Sequence, residues 1–162
     1  MADHWVINAS PVILLAKAEV IHFHPRLCDE LVIPAGVVDE VHNILITDAG
    51  KTWLAGEGSK FICPSPEINP ALSHWRGGMG EAEVISWALR NPRFIAVLDD
   101  RRARELATRN GVAVIGSLRV IVIAKELGFI PKAKPALERL RGEGAYVTDE
   151  LIDRAIALAG EN

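Results

Sequence analysis

Two cysteines are all that the 162-residue chain contains, Cys28 and Cys63, without CxxC spacing or a matching histidine pair. That spacing argues against a disulfide framework and a zinc site and makes both thiols packing residues. Long apolar runs do not occur, and the first residues carry Asp3 and His4 where a leader would have basic residues before an apolar stretch. We therefore expect neither a secretory signal nor a membrane span, and a soluble, cytoplasmic protein. Charge of one sign is scarce as well: 18 Lys and Arg face 21 Asp and Glu, for a formal net charge of −3. Neither a disordered acidic tail nor a basic arm coating nucleic acid fits that balance, so any nucleic-acid contact must be local. Neither the GxGxxG dinucleotide fingerprint nor a P-loop pattern occurs, which removes the two commonest nucleotide-dependent classes.

Against these gaps stands a hydrophobic content of 49%, enough for one well-buried core, and residues 1–162 read as a single domain. Trp5 to Ile7 reads as a strand ending at Asn8, followed by a helix with Ser10 as its N-cap and Pro11 at its first position, continuing through the apolar segment Val12 to Ala18. Leu31 to Ile33 is a second strand closed by Pro34. Val37, Val38, Val41, Ile44 and Leu45 then recur at spacings of three and four, as on one face of a helix. Phe61 and Ile62 form a weak third strand, and the proline-rich stretch 64–78 is a long loop of the kind that carries function.

From Gly80 to Leu89 the apolar spacing is helical again. Phe94 to Leu98 is the clearest strand, and it runs straight into Asp99 and Asp100. A helix from Arg101 to Asn110, a strand from Val112 to Ile115 and a helix from Leu118 to Leu127 follow, with Gly111 and Gly128 as helix stops. The region 131–162 reads as two helices divided by Gly142 and Gly144, the second opened by Thr148 with Asp149 and Glu150 in its first turn. Strand and helix alternating at this rhythm predict a parallel sheet with helices on both faces, an α/β/α architecture.

In such a sheet, ligands bind beyond the carboxyl ends of the strands, where strand order reverses. Asn8 ends the first strand and Asp99 and Asp100 end the fourth, while Glu40 and Glu81 lie on the helices between. Carboxylates gathered there repel one another, and a bound cation relieves the repulsion. Hard oxygen ligands without a nearby Cys or His pair favour Mg²⁺ or Mn²⁺ over zinc.

Taken in order, Asn8-Ala-Ser-Pro11, Pro34 with Val37 and Glu40, Gly80-Glu-Ala-Glu83, Asp99-Asp100 with Arg104, Ile115-Gly-Ser117, and Ala124-Lys125 with Gly128 resemble the PIN-domain proteins of prokaryotes. The pattern is most similar to VapC-like proteins that share the GEAE and DD-x-x-A-R signatures. The resemblance spans about residues 5 to 155 and rests on the order of the motifs. It implies a strand order 3-2-1-4-5 and a metal-dependent endoribonuclease, hydrolysing RNA phosphodiesters with Mg²⁺ or Mn²⁺ and a metal-activated water. It also implies a toxin silenced by a small antitoxin, and a homodimer. Carried over by position, Glu40, Glu81 and Asp99 match catalytic, metal-binding acids. Asp100 is a neighbouring candidate, and Ser117, with Ser10, falls where polar residues support the site. One position departs from the pattern: Asn8 stands where active members have an aspartate, keeping an oxygen ligand and losing a full charge. A binding module with weakened catalysis is the alternative that this departure opens.

Each signal has a plainer reading. Adjacent aspartates after a strand often cap a helix, and Glu81 and Glu40 are placed as ordinary helix residues are. Glu83 and Asp39 are expected to point away from the cluster or to solvent. Arg101, Arg102 and Arg104 crowd a helix start, where cations oppose the helix dipole. Arg104 is expected to pair with carboxylates, and Arg101 and Arg102 to meet RNA phosphates. His22, His24, His42 and His74 read as surface or packing residues, and Trp53 and Trp75 as packing residues that are also able to stack a base or seal a dimer. A receiver-like phosphoacceptor is disfavoured, since Phe61-Ile-Cys-Pro64 has no aspartate and Ile115-Gly-Ser117 no lysine.

Overall fold

Strand β1, His4–Ile7, is buried along nearly its whole length, and its apolar run marks a strand covered on both faces. In the computed structural model, which describes residues 3–44, 48–144 and 146–162, β1 pairs in parallel with β2 (Glu30–Pro34) on one side and β4 (Phe94–Val97) on the other. The short β3 (Ile62–Cys63) and β5 (Val114–Ile115) extend the two edges. The order is β3-β2-β1-β4-β5, all parallel, as expected. Order reverses between β1 and β4, where the register Ile7 opposite Val97 sets Asn8 and Asp99 at the same carboxyl rim.

Helices flank this sheet: α1 Ala9–Lys17, α2 Ala35–His42, α3 Ala49–Ala55, α4 Met79–Arg90, α5 Arg101–Arg109, α6 Ser117–Glu126, α7 Lys134–Glu138 and α8 Asp149–Leu158. Trp5, Ile7, Leu15, Ile33, Ile85, Leu98, Ile121 and Ile152 are among the side chains closed off from solvent between sheet and helices. Truncating one of them to alanine costs about 2–5 kcal/mol. His24 belongs to this core: it packs on the Trp5 ring at 4.9 Å, and burial alone lowers its pKa to about 3, so it stays neutral. Both cysteines are free and half-buried. No helix among the described residues is long and apolar enough to cross a membrane.

Local details depart from the sequence reading. Helix α1 begins two residues earlier than expected, with Asn8 and not Ser10 at its N-cap position. Ser10 falls inside the first turn and not ahead of it, and its hydroxyl donates to Asp99 across the rim. Helix α2 ends at His42, and Leu45, placed on that helix by its spacing, lies outside the described residues. Helix α3 was not expected at all; Asp48 caps it by accepting from the Lys51 N–H at 3.0 Å. In the long loop, Pro70–Leu72 makes one 3-10 turn, and Asn69 N–H is pinned to Ser86 Oγ at 2.9 Å. At the far end, Thr148 caps α8 as expected, accepting from Leu151 N–H.

Candidate active site

Asp99 leaves β4 and is held from three directions. Its Oδ1 accepts from the Ser117 N–H at 2.8 Å, and its Oδ2 accepts from the hydroxyls of Ser117 at 2.7 Å and Ser10 at 2.9 Å. Helix α6 has Gly116 at its N-cap with no side chain to offer, so Asp99 supplies the anion that its free N–H groups and dipole favour. Space beside it is tight: a Cβ at Gly116 would lie 2.5 Å from Arg104 Nη1, which would have to shift, and 3.4 Å from Asp99 Oδ1. Asp100 turns the other way and caps α5, accepting from the Arg102 N–H at 2.8 Å. Its second oxygen accepts from the Tyr146 hydroxyl at 3.3 Å. The helix-cap reading thus holds for both aspartates, each on a different helix.

Glu40 and Glu83 tie α2 and α4 together reciprocally. Glu40 Oε1 accepts from Gly80 N–H at 2.8 Å at the start of α4, and Glu83 Oε1 accepts from Gly36 N–H at 3.1 Å at the start of α2. Neither helix has a capping side chain of its own at its N-cap, Gly78 and Pro34, so each is capped by its neighbour's carboxylate. The approach is close enough that a Cβ on Gly36 would meet Glu83 Oε2 at 2.0 Å. Glu83, expected to point away or to solvent, is only 3% exposed. A buried carboxylate needs donors, and a helix N-terminus is where it finds them. Asp39 is exposed, as expected.

Glu81 is the acid whose needs go unmet. Its Oε2 is buried with no hydrogen-bond partner among the described residues. Desolvation first, then the charges of Asp100 and Glu40, push its carboxyl up to about 7, against partial relief from the Gly78 amide and Arg102. The Tyr146 hydroxyl is raised too, by burial and then by Asp100, with Glu81 and Asp99 adding to it. Glu40, Glu81, Asp99 and Asp100 therefore share one electrostatic neighbourhood. Asn8, at the end of β1, is 3% exposed, makes no capping bond, and its Oδ1 also has no partner among the described residues.

Two buried oxygens without partners, on Asn8 and Glu81, beside carboxylates that repel one another suit a hard divalent cation, and the all-oxygen donor set is that of Mg²⁺ or Mn²⁺. A finished cage is not there: among the described residues, no three His, Cys, Asp or Glu side chains stand close enough together to hold a metal ion. Beside Asp99 and Ser117 opens a cavity of about 430 Å³, bounded further by Arg104, Tyr146, Leu151 and Arg154.

The arginines correct the sequence reading in part. Among the described residues Arg104 has no carboxylate partner: its Nη1 donates to the Leu98 carbonyl at 3.0 Å, fixing the chain where β4 turns into the site. Arg101 is engaged on the surface by Glu105 at 3.1 Å, whereas Arg102 rests 5.7 Å from the centre of the Trp75 ring. Tyr146 is a member of the neighbourhood that sequence reasoning missed. It is the chain's one tyrosine, set just after two glycines, with no spacing that links it to Asp100.

A family model for a PIN domain matches residues 4–161. The chain belongs to the PIN-domain family. The match carries the nuclease-type fold and agrees with the observed sheet order; the VapC-like branch is a finer assignment that it does not make. Neither a curated protein nor a solved structure shows significant similarity to this PIN-domain chain.

Proposed function

We propose that this PIN domain, one unit over residues 1–162, is a metal-dependent endoribonuclease, with Glu40, Glu81 and Asp99 as its essential acids. Asp100 and the Asn8 carbonyl complete the set that would hold Mg²⁺ or Mn²⁺. The observation that carries this reading is Glu81: a half-buried carboxylate pushed up to about 7 by desolvation and then by the charges of Asp100 and Glu40, with one buried oxygen unpartnered among the described residues. A divalent cation supplies there a Lewis acid for the phosphate and a lowered pKa for water. Ser10 and Ser117 fix Asp99, Glu40 fixes the start of α4 and so the position of Glu81, and Asp100 presents the first turn of α5 with Arg102. A cytoplasmic VapC-like toxin, silenced by a small antitoxin and working as a homodimer, belongs to the same reading and is supported by the motif resemblance.

Divalent-dependent cleavage of RNA, abolished in Asp99→Asn, is the expected result; cleavage by that variant at the wild-type rate dismisses the assignment. Asn8 favours a second reading, an RNA- or protein-binding module with weakened catalysis, because its amide brings an unpartnered oxygen and no charge. Comparing wild type with Asn8→Asp separates the two: cleavage in both supports the enzyme, and cleavage only in the variant supports the module.

A further inference from the structure

On the far side of α5 from Asp99 lies a second cavity, also about 430 Å³, with Trp75, His74, Arg76, Arg102 and Arg109 on its walls. Its composition is unlike ordinary surface. Arg76, Arg102 and Arg109 have no carboxylate partner among the described residues, while Glu105, the acid on this wall, is engaged by Arg101. Arg102 lies 5.7 Å from the centre of the indole ring and also reaches the field of Glu81, while Arg76 and Arg109 share the cavity walls, so positive charge and a flat π surface stand together.

The indole is held in place before any ligand arrives. Its Nε1–H donates to the Gly78 carbonyl at 3.1 Å, and its backbone N–H donates to Leu72 O at 2.9 Å. Gly77 lies so close beneath it that a Cβ there would stand 2.0 Å from Cζ2. Gly78 links this platform to the acids: a Cβ on it would be 3.0 Å from Glu40 Oε1, and its amide lowers the carboxyl of Glu81. Arg102 joins them a second time, with its side chain toward Trp75 and its N–H on Asp100. Packing alone accounts for a half-buried tryptophan. It does not account for a cavity whose walls also carry His74 and three arginines without an ion pair among the described residues.

We infer that this cavity is a subsite for one nucleotide of a single-stranded RNA, its base stacked on Trp75 and its flanking phosphates on Arg76, Arg102 and Arg109, next to the acidic rim. A stacked duplex hides the faces of its bases, and only an unpaired base reaches an indole, so the chemistry selects single strands over double. The choice of RNA rests on the nuclease reading above; the stacking and the charge do not.

The test is fluorescence anisotropy of the full chain with a short unstructured RNA carrying fluorescein, and with the same RNA annealed to its complement, in EDTA so that cleavage plays no part. Wild type is expected to hold the single strand about tenfold more tightly than the duplex, and Trp75→Ala to lose about that factor for the single strand, in the range for one stacked base. Trp75→Phe, which keeps a π face, retains most of the binding. Arg109→Ala, on an exposed position, lowers the slope of log affinity against log salt by about 0.7, one phosphate's worth on a single strand. Trp75→Ala binding like wild type, or an unchanged salt slope in Arg109→Ala, overturns the inference. A protein that binds through Trp75 yet cleaves nothing supports the subsite and sinks the nuclease reading. One that cleaves RNA while Trp75→Ala leaves its binding unaltered overturns the subsite alone.

Discussion

Asp99 and Glu81 share one rim, yet they are opposites. Asp99 has donors on both oxygens, from two helices, and its charge is answered before any ligand binds. Glu81 sits in the first turn of α4 with one oxygen buried and unpartnered and two acids near enough to raise its pKa. One carboxylate therefore stabilises the fold, and the other is tolerated at a cost. Under the proposed function, a cation would relieve most strain at Glu81, where charge is unmet, while Asp99 would bring to it an oxygen already fixed in place.

The largest effect that sharpens this contrast is on Asp99. Asp99→Ala removes three hydrogen bonds to an ionised acceptor and leaves the start of α6 without its anion. It should lower stability by about 3–5 kcal/mol in denaturant melts, using roughly 1.5–3 kcal/mol per charged hydrogen bond and allowing for non-additivity. If Asp99→Ala melts like wild type, the contrast between the two acids is broken.

Next in size is Gly36→Ala. The new Cβ would stand 2.0 Å from Glu83 Oε2, so the pairing of α2 with α4 must give way, at about 1–3 kcal/mol. The same melts read it, and Gly111→Ala provides the control: at φ +79 it is strained, but its Cβ meets nothing within 4 Å. Gly36 lies in a helix without a positive φ, so a Gly36→Ala variant that melts like wild type would contradict the cost assigned to the Glu83 contact, whatever strain Gly111→Ala shows.

Glu81→Gln gives a smaller effect of opposite sign. With its carboxyl raised from 4.5 to about 7, the folded chain binds more protons than the unfolded chain between those values, so Glu81 makes stability fall as pH rises through that window. Glu81→Gln should flatten that fall and melt higher than wild type above pH 7. A variant that melts lower there, or that keeps the full slope, contradicts the cost assigned to Glu81. Mn²⁺ should raise the wild-type melting temperature more above pH 7 than near pH 5, because the cation needs the ionised carboxylate.

The smallest effect belongs to Tyr146→Phe, which loses one 3.3 Å bond at an exposed side chain and should change stability by less than about 0.5 kcal/mol. A larger loss would make Asp100, like Asp99, a structural acid.

Much of this was legible in the chain. The apolar runs at residues 5–7, 31–33 and 94–98 gave strands because both faces of a parallel sheet are covered, and Gly111 and Gly128 marked helix ends by their positive φ. Asp99 and Asp100 were legible as strand-end residues, and Ser117 through the resemblance to the PIN pattern. What failed turned on partners distant in sequence. Ser10 looks like an N-cap but falls inside the first turn, its hydroxyl given to Asp99, 89 residues on, and Glu83 looks exposed until Gly36, 47 residues away, offers an N–H. Helix α3 has only seven residues, with Gly50 and Thr52 among them, and carries too little periodicity to stand out.

The proposed function stands on a divalent cation at this rim, drawn by the unmet Glu81, and crystals soaked in Mn²⁺ reveal whether it binds there. The account predicts an anomalous peak within coordination distance of a Glu81 oxygen, with Asp100 or the Asn8 carbonyl as a second ligand. Well-diffracting crystals with no peak there, or with manganese bound only elsewhere on the protein, would contradict it.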